Sequence, residues 1–213
     1  MPETIESLAQ KPEGEPRVTA YGLLRQSRLD LLVEQLAPLT RSPRPLVWEL
    51  GCGHGHFLTA YAQANPQQTC IGIDIAGDRI QRAVRKRERA RLEHLHFIRA
   101  ESGLFLEALP PSVRFADVFI LFPDPWPKAR HHKHRVMQPE FLQRLAARMG
   151  QGGHLFFRTD HQPYFEEARA LVIDHPAWRL SDAPWPFEHP TVFQTRADTY
   201  HSLVGEPRTV PSE

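Results

Sequence analysis

Cysteine is scarce in this chain: among 213 residues only Cys52 and Cys70 carry thiols. Two cysteines do not make a disulfide framework, so a reducing, cytoplasmic setting is expected, with both thiols acting as small core residues. Net charge of one sign is also nearly absent, at a formal +1, so no global field drives the chain onto nucleic acid. No apolar run reaches transmembrane length, which excludes a helical membrane protein. The opening segment, Met1 to Pro16, is polar and holds no secretory h-region. No internal repeat is present. Twelve histidines invite a metal reading, but His131, His132 and His134 crowd together without a cysteine, so no metal is expected. A monomer is the expected oligomeric state.

What is there suits one domain with a sizeable core: 41% of residues are hydrophobic and 24% charged. Residues 1–18 read as a flexible tail and 19–213 as one domain. Short apolar runs at Leu46–Leu50, Cys70–Ile75, Leu95–Ile98, Asp117–Phe122, Gly153–Thr159, Trp178–Ser181 and Thr199–Val204 read as strands. Helical patterns fill Ser27–Leu36, Phe57–Ala64, Gly77–Glu93, Leu104–Leu109, Gln138–Met149 and Pro163–Asp174. Strand and helix alternate, which predicts an α/β fold with a mostly parallel sheet and helices on both faces. Ligands of such sheets sit beyond the carboxyl ends of the strands.

The most telling stretch runs from Phe122-Pro123-Asp124-Pro125-Trp126-Pro127-Lys128 into Ala129-Arg130-His131-His132-Lys133-His134-Arg135. Prolines fix their own φ and bias neighbouring residues toward extended backbone, so Asp124 is expected on a stiff loop. Trp126 offers a flat face to a base, or packs against the sheet edge. Lys128, Arg130, Lys133 and Arg135 offer charge to phosphates. A rigid carboxylate beside an aromatic and a basic strip suggests work on a nucleobase within a polynucleotide. The same run also reads as a proline-rich loop with an ordinary solvated face. Arg82, Lys86 and Arg89 form a second basic stripe, either solvated or RNA-facing.

A glycine loop, Glu49-Leu50-Gly51-Cys52-Gly53-His54-Gly55, follows the first strand, and Asp74 ends the second, where a carboxylate can take ribose hydroxyls. The dinucleotide fingerprint G-x-G-x-x-G would need glycine at His56. An acidic Glu49 beside the loop suits a cation better than a pyrophosphate. That favours S-adenosyl-L-methionine, a sulfonium without phosphate, over NAD. Glu101 follows the third strand, either in position to receive an adenine amino group or as an exposed surface acid.

Together these residues resemble a known family. Glu49–Gly55, Gly72-Ile73-Asp74, F-P-D-P-W-P-K-A-R-H-H-K and Arg158-Thr159-Asp160 occur in the order and spacing of tRNA (guanine-N7-)-methyltransferases, over roughly residues 20–204. The resemblance implies a Rossmann-like class I methyltransferase fold with seven strands, the last antiparallel. It also implies S-adenosyl-L-methionine as donor and a guanine of the tRNA variable loop as acceptor. Glu49, Gly51, Gly53, Asp74, Glu101 and Asp124 would form the donor site, and Asp124 would be catalytic. Lys128, Arg130, His131, Lys133, Arg135, Asp160, Thr191 and Gln194 would contact tRNA. The family usually reads T-x-F/Y-E-x-R-F near its end, whereas Thr191–Ala197 carries Gln194 for the glutamate and Ala197 for the aromatic; His134 replaces a usual arginine. A methyltransferase with a drifted acceptor site, acting on another RNA or substrate, and a non-catalytic RNA-binding relative are the competing readings.

Overall fold

A computed structural model describes residues 19–41, 45–189, 194 and 199–208. The expected tail, residues 1–18, lies outside the described residues. The strands are β1 (Leu46–Leu50), β2 (Thr69–Asp74), β3 (Leu95–Arg99), β4 (Phe115–Leu121), β5 (Met149–Thr159), β6 (Trp178–Leu180) and β7 (His201–Pro207). They form one sheet in the order β3-β2-β1-β4-β5-β7-β6. The β3-to-β5 pairs are parallel, and β7 runs antiparallel to both β5 and β6. The expected α/β architecture is thus what the chain adopts, with an antiparallel hairpin at one edge.

Helices cover both faces because strand residues alternate between two apolar clusters. Leu46 and Trp48 of β1 join one cluster with residues of α1 (Ala20–Leu36), α4 (Ser102–Ala108), α5 (Pro139–Ala146) and α6 (Gln162–Asp174). Val47 faces the other, with α2 (His56–Ala64), α3 (Gly77–Ala90) and the segment carrying Trp185 and Phe187. Trp48 is fully buried and packs at 5.0 Å on Phe105 and 5.2 Å on Phe115. Truncating such a ring costs about 3–5 kcal/mol.

Several boundaries differ from the sequence reading, and three of the differences have clear local reasons. α1 starts at Ala20, not Ser27: Thr19 caps it by accepting from the Gly22 N–H at 3.1 Å, while Tyr21, Leu23 and Leu24 remain exposed and show no buried stripe. α3 stops at Ala90 because Arg91 takes a left-handed φ of 55°. β5 begins at Met149, where α5 was expected to continue, because Met149 pairs with Phe115.

The order β2-β1-β4 sets the position of the site. Chain connections diverge between β1 and β4, and the loops leaving their carboxyl ends flank that switch point. One is the glycine loop; the other carries Asp124.

Candidate active site

The glycine loop is tied down by its neighbour strand. Gly51 and Cys52 N–H groups both donate to the Ile73 carbonyl at 2.9 Å. The Asp74 carboxylate accepts from Gly53 N–H at 3.0 Å and Ala76 N–H at 2.8 Å, with an Arg79 guanidinium nitrogen 3.7 Å away. Gly51, Gly53 and Gly55 have positive φ of 75°, 52° and 68°. Their surroundings differ. A Cβ at Gly53 would meet nothing within 4 Å, leaving backbone open to a ligand. A Cβ at Gly55 would come within 2.5 Å of the Phe97 ring and 2.8 Å of Ala83, so that position serves packing.

Glu49 lies under this loop, 3% exposed, with its Oε2 lacking any hydrogen-bond partner. Burial pushes its carboxyl up to about 8, the nearby Asp74 adds to the rise, and the Leu58 N–H and Lys86 charge oppose it. Lys86 turns its own ammonium inward, buried and without a hydrogen-bond partner, so the expected stripe on α3 is not one continuous solvent face. A proton is therefore held by folded Glu49 between pH 4.5 and 8 that the unfolded chain has released, and folding stability falls as pH rises through that window. Glu49→Gln removes the dependence. The variant is expected to melt above wild type at pH 8 and near wild type at pH 4.5, without donor. Equal melting shifts at both pH values contradict this.

Glu101 stands at the start of α4 with its carboxylate largely exposed, 3.7 Å from Arg28 of α1. It lines a groove of about 190 Å³ with Arg25, Arg28 and Arg144. Ile75, 67% exposed directly after Asp74, was not singled out by sequence. An apolar side chain left bare at a strand end suits the face of an adenine. Cys52 and Cys70 are buried, and burial raises both thiols, Cys70 to about 12, which rules against a cysteine nucleophile.

The Asp124 loop is bent, not extended. Phe122 and Trp126, each followed by proline, have φ of 50° and 44°. Left-handed backbone at an aromatic costs roughly 1–3 kcal/mol and persists only where contacts enforce it. Here the Phe122 N–H donates to the Arg158 carbonyl at 2.7 Å, and the Trp126 ring packs against His131 and His134, at 5.9 and 5.1 Å. Trp126 thus rests on the 3-10 turn Ala129–His134 and not on the sheet edge. Asp124 is exposed between them.

Lys128, Arg130 and Lys133 are exposed, and His131 accepts from the Arg130 Nε–H at 3.2 Å. Arg135 corrects the expected strip. Its side chain is 1% exposed, ion-paired with Glu167, stacked 4.6 Å over the Tyr164 ring, and its Nε–H donates to the Pro125 carbonyl at 2.8 Å. It cannot meet a phosphate; it clamps the Asp124 loop onto α6. Hydrogen bonds to charged groups contribute about 1.5–3 kcal/mol. Arg135→Ala is accordingly expected to lower the melting temperature, whereas Arg130→Ala and Lys133→Ala leave it unchanged. An unshifted Arg135→Ala melt contradicts the clamp.

Sequence reasoning also missed a hub. Arg158, 5% exposed at the end of β5, donates to both Glu188 carboxylate oxygens at 2.9 and 3.0 Å, to Ser202 at 2.8 Å and to Gln194 at 3.4 Å. It lies 3.9 Å over Trp185 and 4.6 Å over Tyr200, and its hydrogen bonds hold the Glu188 carboxyl below its ordinary range. Asp160 follows, exposed. Thr191 lies outside the described residues. Among the described residues, no group of three or more His, Cys, Asp or Glu is placed to hold a metal ion.

A family model described as "Putative methyltransferase" matches residues 43–202. The chain is 35% identical over 170 residues to the tRNA (guanine-N(7)-)-methyltransferase of Synechococcus sp. (strain CC9311), covering 76% of this chain and 71% of the relative. It is 34% identical over 190 residues to that of Caulobacter vibrioides (strain NA1000 / CB15N), covering 81% and 83%. The chain belongs to the tRNA (guanine-N(7)-)-methyltransferase family. A solved antibiotic-related methyltransferase shares the fold at a TM-score of 0.56 and 18% identity, over 84% of this chain and 94% of that one.

The methyl donor of this family is S-adenosyl-L-methionine, and the candidate donor site around Gly53 and Asp74 fits it on three observations. Glu49 has an orphaned buried oxygen, Gly53 has open space beside its backbone, and Asp74 receives two N–H groups while a carboxylate has about four lone-pair sites.

Proposed function

We propose that this chain transfers the methyl group of S-adenosyl-L-methionine to N7 of a guanine in the variable loop of tRNA. One juxtaposition carries the reading: the glycine loop bonded to Asp74 and the Asp124 loop flank the same switch point, and the exposed Lys128, Arg130 and Lys133 continue that loop. Bound there, the donor supplies an electrophilic methyl group on a sulfonium. The protein's part is alignment and charge. Guanine N7 bears a lone pair and no proton, so no general base has to act first. The purine gains positive charge as it is methylated, and a carboxylate accepting from its N–H groups binds more strongly as that charge grows. Asp124 has the position and exposure for this, with Asp160 as the neighbouring carboxylate. Gln194 can donate and accept hydrogen bonds but brings no charge.

The target guanine has to leave its stack to reach strand ends. Lys128, Arg130 and Lys133 hold the surrounding phosphates, which sets affinity and salt dependence but not base choice. Replacing all three with alanine should weaken tRNA binding and reduce its salt slope by roughly the two to three phosphates released. Donor affinity should hold. A triple variant with the wild-type slope makes the strip an ordinary solvated surface. No helix among the described residues is long and apolar enough to cross a membrane, and the proposed setting is the cytoplasm, as a monomer. The proposal is tested by incubating the protein with methyl-labelled donor and unmodified tRNA: label enters tRNA if it holds, and none does if the chain only binds RNA.

A further inference from the structure

The aromatic and cationic groups around Arg158 form a column. At its base Phe156, 2% exposed in the sheet, meets the Trp185 ring edge-on at 5.3 Å. The Arg158 guanidinium lies 3.9 Å from the centre of the Trp185 ring and 4.6 Å from that of Tyr200. Tyr200 ends the column and is 41% exposed. Its position is fixed from two sides, by the guanidinium and by the Phe122 ring, 6.1 Å away at 75°. Phe122 directly precedes Pro123-Asp124, and its N–H is bonded to the Arg158 carbonyl. Tyr200 therefore stands beside the loop that carries the candidate catalytic carboxylate, and the Arg158 beneath it leads in sequence to Asp160.

We infer that Tyr200 is the platform on which the extruded acceptor purine stacks, with Arg158 holding the ring from behind. This rests on the methyl-transfer reading above and deepens it. A flipped base loses its stacking neighbours and needs a flat, rigid replacement next to the carboxylate that reads its edge. An exposed tyrosine would ordinarily sample several rotamers; here the guanidinium and Phe122 contacts restrict it. The charge balance also suits the reaction. A bare Arg158 cation near a purine that becomes cationic would oppose transfer, but Glu188 pairs with both of its terminal nitrogens. Trp126, the other exposed aromatic near Asp124 among the described residues, is 37% exposed and already flanked by His131 and His134.

The test compares Tyr200→Leu, Tyr200→Phe and Trp126→Leu in single-turnover methyl transfer to an unmodified tRNA transcript at saturating donor. Leucine keeps bulk over Arg158 but has no flat π face. Tyr200→Leu is expected to slow transfer by about ten- to a hundredfold at saturating tRNA. Half-saturation for tRNA should move far less, because phosphates dominate affinity. Tyr200→Phe should recover most of the lost rate, and unchanged donor affinity by calorimetry shows that the variants are folded. A Tyr200→Leu rate within twofold of wild type overturns the inference. So does a Phe variant as slow as Leu, which would assign the effect to the hydroxyl, or a loss confined to Trp126→Leu. Wild type that methylates no tRNA overturns the underlying reading as well, and is distinguished from these by the wild-type control.

Discussion

Asp124→Asn is expected to slow methyl transfer by on the order of a hundredfold or more at saturating donor. The substitution keeps the side chain's size and part of its hydrogen bonding and removes its charge. Pro123 and Pro125 stiffen the loop, Arg135 holds the Pro125 carbonyl, and Phe122 is bonded to β5, so the asparagine should occupy the same place. What disappears is the preference for a cationic purine over a neutral one. A hundredfold rate loss corresponds to about 2.7 kcal/mol of transition-state stabilisation, within reach of a single carboxylate facing a developing charge. tRNA affinity should change little. Donor affinity is expected to weaken, since the proposed role puts Asp124 between donor and acceptor, so single-turnover rates at saturating donor are the proper measure. A rate within a few-fold of wild type would reduce Asp124 to a loop-shaping role and pass the acceptor function to Asp160.

Asp74→Ala is expected to weaken donor binding by tenfold or more. In the proposed site the carboxylate does two things at once: it offers lone pairs to ribose hydroxyls, and it accepts from the Gly53 and Ala76 N–H groups. Hydrogen bonds to a charged group contribute about 1.5–3 kcal/mol, and 1.4 kcal/mol is already tenfold in affinity. Asp74→Asn retains one acceptor oxygen and should fall between alanine and wild type. Calorimetry that finds the alanine variant unchanged rejects Asp74 as a donor ligand.

The central strands were legible because β1, β2 and β4 are buried on both faces of the sheet, and the glycine loop and Asp74 because they lie at the ends of such runs. The first turns of α1 were not, since Leu23 and Leu24 stay exposed and leave no periodic stripe. Arg135 and Lys86 were misread for the same reason: a charge run does not show which of its members turns inward. The Arg158 hub was invisible as a hub. Arg158 stood in a recognisable Arg-Thr-Asp motif, but Glu188, Gln194 and Ser202 lie 30 to 44 residues away and meet it only through the fold. Likewise Tyr200 offers no local signal until Phe122 and Arg158 are placed around it.

The most direct measurement is the identity of the nucleoside made by the wild-type protein from methyl-labelled donor and tRNA that lacks N7-methylguanine. Digestion and chromatography should show the label in 7-methylguanosine, mapping to the variable loop. Label in any other nucleoside, or none in tRNA while the donor still binds, would contradict the account.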